Sequence, residues 1–197
     1  MIKKLPILFV CFLSSCQNTN LFDLDLASAP RIAKESLFGF DIKVDQAFID
    51  SKQFSFMKLT LNKRASILSL SDIASDGTYR WVSNDGAIFL TNNGKILKTY
   101  GLKNNYEVLE KGSLYKPHLI KYSAPRAIFS KNITKLTDKV SNVREEIFTI
   151  KELNWTGVDK YLFNEDSGLP ISSSQHIFPN QGAVKLEFYY KYKKRER

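Results

Sequence analysis

Cysteine and histidine are nearly missing from this chain: its 197 residues hold 2 of each. The cysteines are Cys11 and Cys16, both close to the amino terminus. The rest of the chain therefore has no disulfide framework and no cysteine-based metal site. His118 and His176 stand without a His, Asp or Glu at the short spacing that a metal-binding strand or helix uses. They read as structural or surface residues, and no metal is expected. There is no Gly-x-Ser-x-Gly elbow and no phosphate-binding loop. The acidic pairs Glu145-Glu146 and Glu165-Asp166 are sequential. Neighbours on a strand point to opposite faces, so such a pair does not converge as glycosidase carboxylates do. No apolar run approaches the roughly 20 residues of a membrane-spanning helix. No interior helical pattern is long enough for a βαβ crossover. These absences point away from an enzyme, a cofactor protein and an α/β fold.

Aromatic residues and positive charge are abundant. Of the residues, 43% are hydrophobic and 13% aromatic, with 14 Phe and 9 Tyr. That composition supports a buried core and favours sheet over helix. Net charge is +9, or +7 without Lys3 and Lys4. A basic surface suits anionic lipid headgroups, lipopolysaccharide phosphates or acidic polysaccharide. Nucleic acid is the usual partner of such a charge, but the amino terminus indicates a compartment that excludes it.

Residues 1–15 have a charged start, Lys3-Lys4, an apolar run of about nine residues to Leu13, and two small residues before Cys16. This is the layout of a bacterial secretion signal. Leu13-Ser14-Ser15-Cys16 resembles a lipobox, which implies cleavage before Cys16 and diacylglyceryl and acyl chains on that cysteine. The competing reading is a soluble secreted protein with a chance cysteine. Lipidation matters physically, because two or more acyl chains anchor stably where one does not. Gln17 after the cysteine, by resemblance to enterobacterial sorting, favours the outer membrane. Residues 16–27 then form a lipidated tether and 28–197 a single β-rich domain. A short helix is expected from about Ser28 to Gly39.

From Asp41 the apolar spacing changes to period two. A first strand is expected around 42–49 from Ile42, Val44 and Phe48, and a second over 54–61. Strands at 65–73, 79–83, 87–91 and 95–100 follow, separated by Ser75-Asp76-Gly77, Asn84-Asp85-Gly86 and Asn92-Asn93-Gly94. Asp-Gly and Asn-Gly suit hairpin turns whose central residues need positive φ. Residues 103–112 read as a short helix or loop, and Pro117 marks 114–122 as an edge or irregular segment. Further strands are expected at 126–137, 143–153 and 155–163. A closing hairpin is expected from 172–178 and 183–192. The sum is an all-β fold with one or two short helices and about ten antiparallel strands. Such a meander curls into a barrel or half-barrel.

Three stretches carry a family likeness: Phe54–Leu59, Tyr79–Gly86 with its Trp-x-Ser-x-Asp-Gly turn, and Leu90–Leu102 with its Asn-Gly-Lys hairpin and Thr-x-Gly-Leu end. Asp166-Ser167-Gly168, Ser174-Gln175 and Lys185-Leu186-Glu187 add the terminal hairpin. Together they resemble the YjbF family of lipoproteins, which includes the group 4 capsule lipoproteins of the GfcB type. The resemblance implies an envelope role in exopolysaccharide or capsule production, with no established chemistry.

Candidate ligand-binding residues are Trp81, Tyr79 and Tyr100, whose rings could stack on sugars. Lys193, Lys194 and Arg195 in the basic carboxy-terminal run could meet anionic lipid or polymer. Core packing and a solvated tail are the competing readings. The sequence thus describes an outer-membrane lipoprotein on the periplasmic face, anchored through Cys16. It would act without catalysis in exopolysaccharide or group 4 capsule assembly or export, by binding polymer or an export-machinery protein. The alternative is a periplasmic carrier of lipid or another hydrophobic ligand in a half-barrel cavity.

Overall fold

The structure, a computed structural model, describes residues 42–112, 116–138 and 142–191. The expected signal peptide, Cys16, the tether, the Ser28–Gly39 helix and Lys193, Lys194 and Arg195 lie outside the described residues. One short helix, α1 (Gln46–Ser51), precedes twelve strands. These are β1 (Phe56–Leu61), β2 (Arg64–Ile73), β3 (Tyr79–Ser83), β4 (Ile88–Asn92), β5 (Lys95–Tyr100) and β6 (Tyr106–Glu110). They continue as β7 (His118–Ser123), β8 (Arg126–Asp138), β9 (Val143–Ile150), β10 (Trp155–Phe163), β11 (Pro170–Gln175) and β12 (Val184–Tyr189). Each strand pairs with the next, and β1 pairs antiparallel with β12, from Phe56 opposite Tyr189 to Thr60 opposite Lys185. The sheet is a closed barrel, so among the described residues no strand is left as an open edge.

Turn chemistry sets the meander. Asn93 and Gly94 both have positive φ, 48° and 76°, as a two-residue hairpin turn requires. Register shifts at Leu70/Asp72, Leu90/Thr91, Val108/Glu110, Ile133/Lys135 and Leu162/Phe163 mark bulges. Bulges bend and twist strands, which helps a sheet close.

Three expectations are corrected. Residues 46–51 form a helix, not the strand expected around 42–49, because the Asp45 carboxylate accepts the Phe48 N–H at 2.8 Å and caps a helical turn. The stretch read as helix or loop at 103–112 contains β6, held by Tyr106 opposite Tyr122 and Glu107 opposite Lys121. Pro117 does not make 114–122 an edge. It sits one residue before β7, where it removes no ladder hydrogen bond, and β7 lies between β6 and β8.

Twelve strands enclose more space than one layer of inward side chains fills. Two segments occupy the remainder. The β4–β5 hairpin leans onto β11: the Gly94 carbonyl accepts from Ser173 Oγ at 2.9 Å and Gln175 Nε2 at 2.7 Å, while Ile96 N donates to Gln175 Oε1 at 2.9 Å. With φ at 76°, and a Cβ that would stand 3.0 Å from Pro170 Cβ, Gly94 is a position where any side chain is strained and crowded. After β11 the chain turns inward, burying Ile177 and Phe178, and the Ile177 carbonyl accepts from Tyr122 Oη on β7 at 2.7 Å. Trp81, Phe89, Tyr106, Ile120, Phe148 and Leu186 pack around them.

The outer face is charged. Lys98, Glu107 and Lys121 form one ion cluster, and Glu145 meets Lys160 at 2.9 Å. The strands also expose Leu109, Ile128, Leu136 and Ile171. Antiparallel alternation puts α1 and residues 74–78, 93–94, 111–112 and 164–169 at one end. The other end collects 62–63, 84–87, 101–105, 124–125, 151–154 and 176–183.

Candidate functional site

The α1 end holds a polar recess of about 190 Å³. Strand alternation sends His118 (β7), Lys131 (β8), Glu146 (β9), and Asp159 and Tyr161 (β10) inward. Register then sets His118 opposite Lys131 and Glu146 opposite Asp159. The Glu146–Asp159 row sets two carboxylates side by side, which costs stability unless opposite charge reaches across. It does so twice. Lys131 Nζ meets Asp159 Oδ2 at 2.6 Å, with both side chains almost wholly buried, and Lys95 Nζ meets Glu146 Oε2 at 2.7 Å nearer the surface. Tyr161 Oη lies 3.4 Å from the same Glu146 oxygen.

Burial lowers the Lys131 ammonium pKa, and Asp159 opposes that shift. Burial alone would raise the Asp159 carboxyl; Lys131 and two His176 contacts outweigh it and hold it below the usual value. The Tyr161 phenol is pushed well up by burial and by the Asp159 and Glu146 charges. Burial, and then the Lys95 ammonium beside it, pushes His118 down to about 4. Its Nδ1 accepts the Gly112 N–H at 2.8 Å, and Nε2 lies 3.4 Å from Lys95 Nζ. A protonated ring would set N–H against N–H and cation against cation.

His118 therefore has a measurable pH signature. Between pH about 6.5 and about 4 the unfolded chain takes a proton that the folded chain refuses, so stability falls as pH drops through that window. Discounted for partial solvent screening of the ring, the expected loss is about 2–3 kcal/mol. His118→Asn keeps an acceptor near Nδ1, and its unfolding midpoints should be flatter over the same window. Equal slopes in the two proteins would remove His118 as the cause.

The recess is also lined by Asn92, Asn93, Lys111 and Arg144. Asn93 and Arg144 are shared with a second recess of about 360 Å³ that includes Phe163, Asn164 and Glu165. The Arg144 guanidinium lies 5.5 Å from the Phe163 ring centroid. Glu146 is the one carboxylate among the described residues lining the first recess, since its neighbour Glu145 faces outward to Lys160. Among the described residues no group of three His, Cys, Asp or Glu is placed to hold a metal.

The residues singled out from the sequence fall elsewhere. Trp81 is 0% exposed; its Nε1 donates to Thr91 Oγ1 at 2.9 Å, and Tyr79 stacks on it with centroids 5.9 Å apart. Tyr79 is half-buried. Tyr100 is 40% exposed on the outer face, under Lys98 Nζ at 4.8 Å, and is not brought to the other two. Lys191, the last described residue, donates to the carbonyl of Lys52 at 2.5 Å beside α1. Sequence reasoning missed Lys95, Asn93 and Arg144. The sequence marks Asn93 as a turn residue, and no spacing signal marks the other two.

No family model matches the chain. Over 99 residues it is 33% identical to the uncharacterized lipoprotein GfcB of Escherichia coli K12. The chain is homologous to GfcB over that stretch. The match covers 50% of this chain and 44% of GfcB, so the chain spans less than half the length of the curated relative it matches. It accords with the resemblance to the YjbF and GfcB type. The crystal structure of the hypothetical lipoprotein YmcC, also from Escherichia coli K12, superposes with a TM-score of 0.59. It has 22% identity and covers 82% of this chain and 95% of that one, which establishes the shared fold. GfcB, matched by sequence, is a lipoprotein, and this supports the lipoprotein reading of the chain.

Proposed function

We propose that this protein is an outer-membrane lipoprotein on the periplasmic face, anchored through Cys16 and serving exopolysaccharide or group 4 capsule assembly or export. It holds polymer without changing it. The observation that carries the reading is the pair of adjoining polar recesses joined by Asn93 and Arg144. Sugar rings offer hydroxyls to planar amides, guanidinium and carboxylate, and an apolar face to aromatic rings. Asn92, Asn93, Arg144 and Glu146 supply the first set, and the half-buried Phe163 ring supplies the second. Hydrolysis by paired carboxylates needs two of them about 5–9.5 Å apart across the bond. Glu146 is the one carboxylate among the described residues lining the first recess, Glu165 lines the adjoining one, and Asp159 is committed to Lys131 beneath.

The test is retention of the native surface polymer by the purified chain. Arg144→Ala is expected to weaken it at least about tenfold, the scale of one hydrogen bond to a charged group. Deleting the gene should reduce polymer at the cell surface. Unchanged surface polymer, together with no retention by the unsubstituted chain, would end the proposal.

A further inference from the structure

The end of the barrel opposite α1 opens into a third, larger cavity, about 460 Å³, with different chemistry. Its floor is Leu59, Phe89, Phe178 and Val184, all buried core side chains. Leu61 and Leu102 form walls, and Lys103 and Gln181 stand at the rim. The inward turn after β11 creates this space. It brings Phe178 under the mouth, where the Ile177 carbonyl is held by Tyr122. A concave, mainly apolar site of a few hundred Å³ in a barrel mouth, with a few polar rim groups, is the usual form of a small-molecule pocket. The surrounding charge is one-sided. The loops and strand ends there carry Lys63, Arg64, Lys103, Arg126 and Lys151 against Asp85 and Glu152.

We propose that this mouth binds a single long acyl chain bearing an anionic head, of which a free fatty acid is the simplest case. The chain lies on the Leu59–Phe89–Phe178–Val184 floor, and the carboxylate sits at the rim beside Lys103. Each methylene taken from water contributes about 0.8 kcal/mol, so a long chain supplies the affinity and the rim selects charge. A sugar finds no polar floor here, and a neutral amphiphile lacks the rim contact. This site is independent of the polymer recess, which occupies the other end.

The experiment uses the full chain with Cys16→Ser, so that no covalent acyl group competes. Binding of the fluorescent fatty acid cis-parinaric acid is followed, with palmitate and hexadecanol as competitors. Saturable binding is expected, displaced by palmitate more effectively than by the alcohol. Gln181→Trp places a large ring in the mouth from an exposed loop position and should lower affinity at least about tenfold. Lys103→Glu should weaken the acid about fivefold and leave the alcohol unchanged. Arg144→Ala should change neither. No saturable binding overturns the proposal. So does equal binding by a folded Gln181→Trp protein, or equal displacement by acid and alcohol. Lys103 is exposed, so its variant keeps the test decisive if Gln181→Trp fails to fold.

Discussion

Asp159→Ala is expected to destabilise the barrel by about 3–5 kcal/mol, the cost of stranding one member of a buried ion pair. Lys131 and Asp159 lie two strands apart, reaching across the inner face of β9, with side-chain exposures of 3% and 1%. The carboxylate is fully engaged. Oδ2 takes the ammonium at 2.6 Å, Oδ1 takes the His176 N–H at 2.7 Å, and His176 Nδ1 is 3.5 Å away. The ammonium also lies 3.8 Å from the Phe148 ring centroid. Gly157 makes room for that ring, since a Cβ there would stand 2.7 Å from Phe148 Cζ. Removing the carboxylate leaves a cation that water cannot reach and frees the turn that carries Ile177 and Phe178 into the interior. Lys131→Met with Asp159→Leu should recover most of the loss, because an apolar pair carries no desolvation cost. Urea unfolding of the two single variants and the double variant gives the coupling directly. Acid should act in the same direction. Asp159 titrates lower in the folded chain than in the unfolded one. Its contribution is complete above about pH 4 and is lost as pH falls through the folded value. A loss under about 1 kcal/mol in Asp159→Ala would show that the pair is not holding the interior together.

The same pair shows why the fold was more legible than its interior. Strand positions from 56 to 100 follow from local chemistry: Asn93-Gly94 alone dictates a turn, and alternation does the rest. Where local signals competed, the weaker one misled. Ile42 and Val44 alternate like a strand, yet Asp45 caps a helix two residues later. Pro117 is a strand breaker in general but here stands just outside β7. The interior contacts had no local signal at all. Lys131 and Asp159 are 28 residues apart, and Lys95 and Glu146 are 51 apart. Only the register of the six strands β5 to β10 brings them together, and one residue of slip would turn each of them outward. Glu145-Glu146 was legible in one respect: alternation separates the pair, sending Glu145 to Lys160 and Glu146 to Lys95.

Trp81→Ala should cost a further large amount, about 3–5 kcal/mol, as removal of a fully buried aromatic does. The indole is surrounded by Tyr79, Phe188 and Tyr190, with ring centroids between 5.7 and 6.3 Å away, and is tied to Thr91 by its N–H. Its position joins β3 to β12 across β1 and β2, so a cavity there loosens the seam that closes the barrel. Trp81→Phe preserves much of the ring volume and strands the Thr91 hydroxyl. Its cost should be about 1–3 kcal/mol, small enough to leave a folded chain at room temperature. That variant separates the two roles open to this aromatic residue. If Trp81 packs the seam, Trp81→Phe melts earlier and retains polymer as well as the unsubstituted chain. If Trp81→Phe keeps its melting temperature but loses polymer, the indole must leave the interior to meet its ligand. The seam would then have to open during binding, and the polar recesses at the α1 end would not be the primary contact.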